Sequence, residues 1–162
     1  MKRHPKEVER VTSEKSSKSR LSKHTKVGLV SACLVGVCCR YDGSERSSPL
    51  VLNLLKEGFF LLPLCPEQMG GLPTPRARNR LVGGDGGAVL DGRARVVDEG
   101  GNDNTKRFVE GAREVLKIAE LFGARVAYLK AGSPSCGCDG EEGEGVTAAL
   151  LRRKGIKVVG VE

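Results

Sequence analysis

From residue 27 onward the chain alternates between short apolar runs and longer stretches whose apolar residues recur at helical spacing. The runs at 27–32, 59–64, 125–129 and 156–161 are five or six residues long and mostly Val, Leu, Phe, Ala and Ile, the length and composition of buried strands. Between them the period changes. Ser48-Pro49 offers an N-cap with proline in the first turn, and Gly58 closes a short helix over 49–57. Asn104 or Thr105 caps a longer helix to about Phe122, with Phe108, Ala112, Val115, Ile118, Ala119 and Phe122 on its apolar stripe and Gly123 as the stop. Val146 to Lys154 forms a third helix, stopped by Gly155. Strands that alternate with helices predict parallel pairing through right-handed crossovers. The expected fold is a three-layer, Rossmann-like α/β domain with an open, mostly parallel sheet of about four strands, spanning residues 27–162.

The stretch 66–103 breaks this rhythm and is long for a connection in a compact domain, which points to a functional loop or small insertion. Asp91-Gly92, between Ala-Val-Leu and Arg-Ala-Arg-Val-Val, predicts the turn of a small hairpin. Arg76, Arg78 and Arg80 alternate after Pro75. Arg78 and Arg80 read as a solvated extended face. Arg76, between turn residues, is the candidate for holding a phosphate or carboxylate of a substrate.

Three cysteines fall just past three of the strand runs: Cys33, Cys65 and Cys136. In an open parallel sheet the C-terminal strand ends share one edge, and ligands bind there. Three thiols distant in sequence then meet at one place, a donor set suited to a metal or an iron–sulfur cluster with one open position. Cys136-x-Cys138 offers a rival pairing, two ligands to one zinc ion. No apolar run approaches the ~20 residues that span a bilayer, and no secretory signal is recognisable, so the six cysteines are read as reduced thiols and the location as cytoplasmic.

The net charge of +7 changes meaning once located. Residues 1–26 hold nine Lys/Arg against three Glu, a net +6, which leaves the rest of the chain close to neutral. These residues lack an apolar period and read as a disordered basic arm, either a plain solvated extension or an organelle-targeting segment. Any affinity for nucleic acid belongs to the arm, since the domain is neutral and lacks an aromatic stacking platform. Both histidines, His4 and His24, also lie in the arm. A histidine-based triad, a His–Cys nucleophile pair or a Cys/His zinc site is thereby excluded from the domain.

Five segments together resemble the thiouracil desulfurase family, formerly a family of unknown function. They are Ser-Ala-Cys-Leu-x-Gly with Cys-Arg-Tyr-Asp-Gly; Leu-Cys-Pro-Glu-Gln-x-Gly-Gly-Leu-Pro-Thr-Pro-Arg; Gly-x-Asp-x-Thr-x-x-Phe-x-x-Gly-Ala; Leu-Lys-x-x-Ser-Pro-Ser-Cys-Gly; and Gly-Val-Thr-Ala-Ala-Leu-Leu. The resemblance implies a [4Fe–4S] cluster bound by three cysteines, here Cys33, Cys65 and Cys136, with the fourth iron free to take the sulfur of a thiolated pyrimidine. It leaves Cys39 as a non-ligand. The stretch between Ser-Pro-Ser-Cys-Gly and Gly-Val-Thr is shorter than is usual in that family. The implied reaction replaces the sulfur of a small thiolated nucleobase or nucleoside by oxygen and releases sulfide. Glu67, two residues after a candidate ligand, is the candidate base or proton shuttle. Ser133 and Ser135 are candidates for orienting the ring or hydrogen-bonding cluster sulfurs. Asp42, Asp103 and Thr105 are candidates for a supporting shell. Two alternatives stay open: a zinc-dependent hydrolase, and a non-catalytic module that binds a metal or cluster for sulfur transfer or redox sensing.

Overall fold

The computed structural model describes residues 26–138 and 143–162. The expected arm, apart from Lys26, lies outside them. In chain order the elements are β1 (Val27–Ser31), a 3-10 turn (Ala32–Val35), α1 (Pro49–Lys56), β2 (Phe60–Leu64), α2 (Pro66–Met69), β3 (Asn79–Val82), α3 (Gly86–Leu90), β4 (Arg95–Asp98), α4 (Thr105–Phe122), β5 (Val126–Lys130), α5 (Val146–Arg153) and β6 (Lys157–Val161).

Four strands form one parallel sheet in the order β2-β1-β5-β6. Alternation along the strands sends side chains to both faces. Leu29, Ala127 and Leu129 pack with Val115, Ala119, Ala148 and Leu151 of α4 and α5. Val30, Leu61 and Val161 pack with Val51 of α1 on the opposite face. The three-layer expectation is met. On α4 the stripe runs through Phe108, Ala112, Val115, Leu116 and Ala119, whereas Phe122 stays half exposed. Phe122 was expected on the stripe; it is the helix's last residue, where the chain turns at Gly123, so the layer no longer covers it.

The chain first moves from β1 to β2, then returns to the other side of β1 with β5. The strand order therefore reverses between β1 and β5, the switch point where open α/β sheets bind ligands. The register pairs Ser31 with Leu64 and Lys130 with Val161 at the C-terminal edge.

The 66–103 stretch is not irregular, and the expected hairpin does not form. Ala88, Val89 and Leu90 belong to α3, and Asp91 is its C-cap. The antiparallel pair is instead β3 with β4, from Asn79↔Asp98 to Val82↔Arg95. The physical reason lies at the start of α3. Asp85 Oδ1 accepts from the Ala88 amide at 2.8 Å, an N-cap that commits the following residues to helix. Val89 and Ala88 then enter a third apolar cluster with Val96 and Phe108.

Candidate active site

Each of the three sheet-edge loops is held by its own backbone bonds. The first begins in the 3-10 turn that carries Cys33, whose carbonyl accepts from Arg46 N at 2.9 Å. In the second, Cys65 is the N-cap of α2, with Pro66 in the first turn. Two glycines set that helix against α4. A Cβ on Gly70 would lie 2.0 Å from the Arg107 carbonyl oxygen, and one on Gly111 would lie 2.0 Å from that of Pro66. Only bare backbones fit, so α4 seats the Cys65-Pro66-Glu67 segment directly. In the third, Ser133 Oγ accepts from the amides of Ser135 and Cys136, both at 3.2 Å, closing the turn. Gly145 lets α5 approach it, since a Cβ there would meet the Ser135 carbonyl at 2.6 Å.

These loops surround a cavity of about 370 Å³ at the sheet edge. Cys33, Cys65 and Cys136 all line it, as do Glu67 and Ser133. Ser135 does not; it is buried behind the wall, its Oγ 3.3 Å from Glu67 Oε1. Cys38 is exposed and Cys138 buried, and neither lines the cavity. Asp42, Asp103 and Thr105 also lie off it. Asp42 accepts from Ser44, Asp103 from the Thr105 amide, and Thr105 Oγ1 from the Val96 amide at 2.9 Å, so all three serve local structure.

Arg76 lines the cavity, but its charge is already paired. Its Nε donates to Glu67 Oε2 at 2.6 Å in a largely buried ion pair. The expectation that it waits for a substrate anion is corrected by this contact. Further cations on the lining are Arg46, whose charge also acts on Glu45, and Arg78. Lys130 and Arg40 add charge, Lys130 while donating to the Ala131 carbonyl.

Residues that sequence reasoning passed over shape the thiols. Cys65 Sγ donates to the Cys39 carbonyl at 3.7 Å, and the neighbouring Cys39 thiol, with one proton to share, is the largest influence holding Cys33 and Cys65 below the usual thiol range, Cys65 at about 6. Burial opposes it at both sulfurs. At Cys65 the Gln68 amide lowers the value further; at Cys33, Arg40 and Lys130 do. The Cys39 thiol is pushed up by its hydrogen bonding with Cys33 and Cys65. Cys136 is also raised, chiefly by burial, against which the Ser31 hydroxyl acts. The only advance signals for Cys39 and Ser31 are their places in the Cys-Arg-Tyr-Asp-Gly and Ser-Ala-Cys segments.

Among the described residues no three His, Cys, Asp or Glu side chains are set to hold a single metal ion. A zinc ion with bonds of about 2.3 Å to sulfur needs its thiolates nearly in contact. Three thiols lining a cavity of about 370 Å³, with Arg40, Arg76 and Lys130 on the same lining, fit a larger anionic group such as an iron–sulfur cluster.

A parallel α/β fold that brings cysteines from three strand ends to one cavity has the donor set of a thiol-ligated cofactor site. The family model of 2-thiouracil desulfurase matches residues 29–162. The chain belongs to that family. It is 40% identical over 141 residues to the uncharacterized protein YbbK of Bacillus subtilis (strain 168), a match that covers 81% of this chain and 93% of YbbK. It is also similar to the solved structure of TudS, a [4Fe-4S]-dependent thiouracil desulfidase, with 41% identity and a TM-score of 0.70 over 83% of this chain and 90% of TudS. Among the described residues no helix is long and apolar enough to cross a membrane.

Proposed function

We propose that this chain removes sulfur from a thiolated pyrimidine such as 2-thiouracil, using a [4Fe–4S] cluster held by Cys33, Cys65 and Cys136. The observation that carries the reading is the convergence of these three thiols on one cavity with Glu67 in its wall. When bound, such a cluster with one iron free of protein ligands supplies a soft Lewis acid that favours a thiocarbonyl sulfur over oxygen.

The protein's own groups do the rest. Glu67 accepts a proton from the water that attacks the thiocarbonyl carbon; the C–S bond breaks and a C–O bond forms. Sulfide leaves, the carbonyl is restored, and no electron is gained or lost. Ser133 keeps its oxygen occupied by two amides, which frees its hydroxyl proton to donate into the cavity and orient the ring. Ser135 supports Glu67 from behind. Arg46 and Arg78 on the lining favour a substrate that carries an anionic group beside the base, such as a nucleotide, over the bare base.

The test is anaerobic reconstitution with iron and sulfide, followed by incubation with 2-thiouracil, thiouridine and its 5′-monophosphate in ¹⁸O-water. The reading predicts equal amounts of sulfide and oxo product, with the label in the product and no need for a reductant. Absence of sulfide from all three substrates, or dependence on a reductant, contradicts it. Glu67→Gln is expected to keep its iron and lower kcat by about 10²-fold or more, the usual scale for losing a general base.

A further inference from the structure

Arg76 ties together the three loops that carry the thiols. Its Nε holds Glu67 Oε2 at 2.6 Å. Its two terminal nitrogens both reach the Cys39 carbonyl, at 3.1 Å each, and Nη1 also donates to the Pro73 carbonyl at 3.1 Å and the Thr74 hydroxyl at 3.2 Å. The Cys39 carbonyl lies 3.7 Å from Cys65 Sγ. Glu67 continues the chain through Oε1 to Ser135 of the third loop. The planar group thus joins the first loop to the second, and Glu67 carries the connection on to the third. The guanidinium side chain is only 5% exposed and that of Glu67 11%, so solvent does little to loosen the pair.

We propose that Arg76 is a positioning residue for Glu67, fixing the carboxylate in the cavity wall with Oε2 held and Oε1 set toward Ser135. This rests on the role given to Glu67 above. The geometry requires an arginine. A guanidinium presents Nε on one edge and a terminal fork on the other, so it binds a carboxylate and a carbonyl at once in a fixed plane. An ammonium keeps the charge but cannot bridge both partners. Nε and both terminal nitrogens are already engaged by protein acceptors, so loss of Arg76 should act on turnover more than on binding.

The experiment compares the wild type with Arg76→Lys, Glu67→Gln and the double variant, all reconstituted anaerobically. Four readouts are taken: iron and sulfide content, thermal midpoint, kcat and KM, and a crystal structure of Arg76→Lys. Arg76→Lys is expected to keep its iron and nearly the wild-type midpoint. Its kcat should fall about 10- to 100-fold, the cost of a displaced catalytic group, with KM little changed. The double variant should be no slower than Glu67→Gln alone, because both changes act through one carboxylate. In the crystal the Glu67–Ser135 contact should be lost. Loss of iron from Arg76→Lys, in step with activity, makes the residue a structural tie and overturns the proposal. So does wild-type turnover, or a double variant slower by the product of the single effects. If the wild type itself releases no sulfide, the functional reading fails and the crystal structure alone decides: an unmoved Glu67 in Arg76→Lys overturns the positioning role, and a displaced one upholds it.

Discussion

The parallel sheet is buried on both faces, whereas the β3–β4 ribbon turns one face to α4 and the other to solvent. The sheet is held by apolar contact and by a register that lines up its strand ends. The ribbon's inner face begins apolar, with Leu81 opposite Val96, and finishes polar, with Asn79 opposite Asp98. Both polar side chains are buried and satisfied. Asn79 Oδ1 accepts from Asn104 at 2.9 Å, and Asp98 accepts from the Asn102 amide at 2.8 Å. The two regions meet at the cavity, which the sheet supplies with thiols and the segment leading into the ribbon with Arg76, Arg78 and Asn79. Rigid apolar packing thus carries the groups that must hold a large cofactor in place. The segment leading into the polar, thinner element carries Arg76, which holds Glu67 of the sheet-edge loop through Oε2.

The sharpest way to break this division is at Cys136 and Cys138, two residues apart. Only Cys136 lines the cavity. Cys136→Ser is expected to abolish sulfide release and lose iron, whereas Cys138→Ser should retain both. Equal loss from both variants would remove the sheet edge as the basis of the site. The next test concerns stability. Phe108 is 1% exposed in the cluster beneath the ribbon. Phe108→Ala should cost about 3–5 kcal/mol in denaturant unfolding. A single transition would show that sheet and ribbon unfold together, and two would show the ribbon leaving first.

Gly111→Ala sharpens the comparison from the sheet side. An added methyl would press on the Pro66 carbonyl, at a cost of about 1–3 kcal/mol, and push Glu67 out of line. Turnover should fall more than the thermal midpoint suggests. The smallest effect belongs to the far side of the ribbon's helix. There Arg153, and next Arg93, hold Asp91 down to about 2. A depressed carboxyl stabilises the fold above its unfolded value of about 3.9, and that contribution fades as pH falls through about 2. Thermal midpoints of the wild type and Asp91→Asn should therefore differ slightly at neutral pH and converge near pH 2.

The same division governs what was legible in the chain. Sheet strands announce themselves because burial on both faces leaves unbroken apolar runs, and a cysteine just past such a run is fixed to one edge. This is why Cys33, Cys65 and Cys136 could be picked out before any contact was known. The ribbon could not be read so. Its strands have four residues each, and α3 has five, too short for either period to show. Asp91-Gly92 resembles a hairpin turn and closes a helix instead. From sequence Arg76 reads as a candidate for holding a substrate phosphate or carboxylate, because its partner lies nine positions earlier and meets it only after α2 has turned the chain. Cys39 was legible as a non-ligand on resemblance alone. Its place between two other thiols depends on how the first two loops pack.

The central claim is that three thiols, and not four, hold the cofactor. Cys39 tests it most directly, because it lines the same cavity and hydrogen-bonds two of the proposed ligands. The measurement is iron and acid-labile sulfide per chain in anaerobically reconstituted Cys39→Ala, beside the wild type. The account predicts equal iron and sulfide in the two proteins, with sulfide release from 2-thiouracil retained in the variant. Iron lost from Cys39→Ala to the degree seen in Cys33→Ser would make Cys39 a fourth ligand, close the position reserved for substrate sulfur and contradict the account.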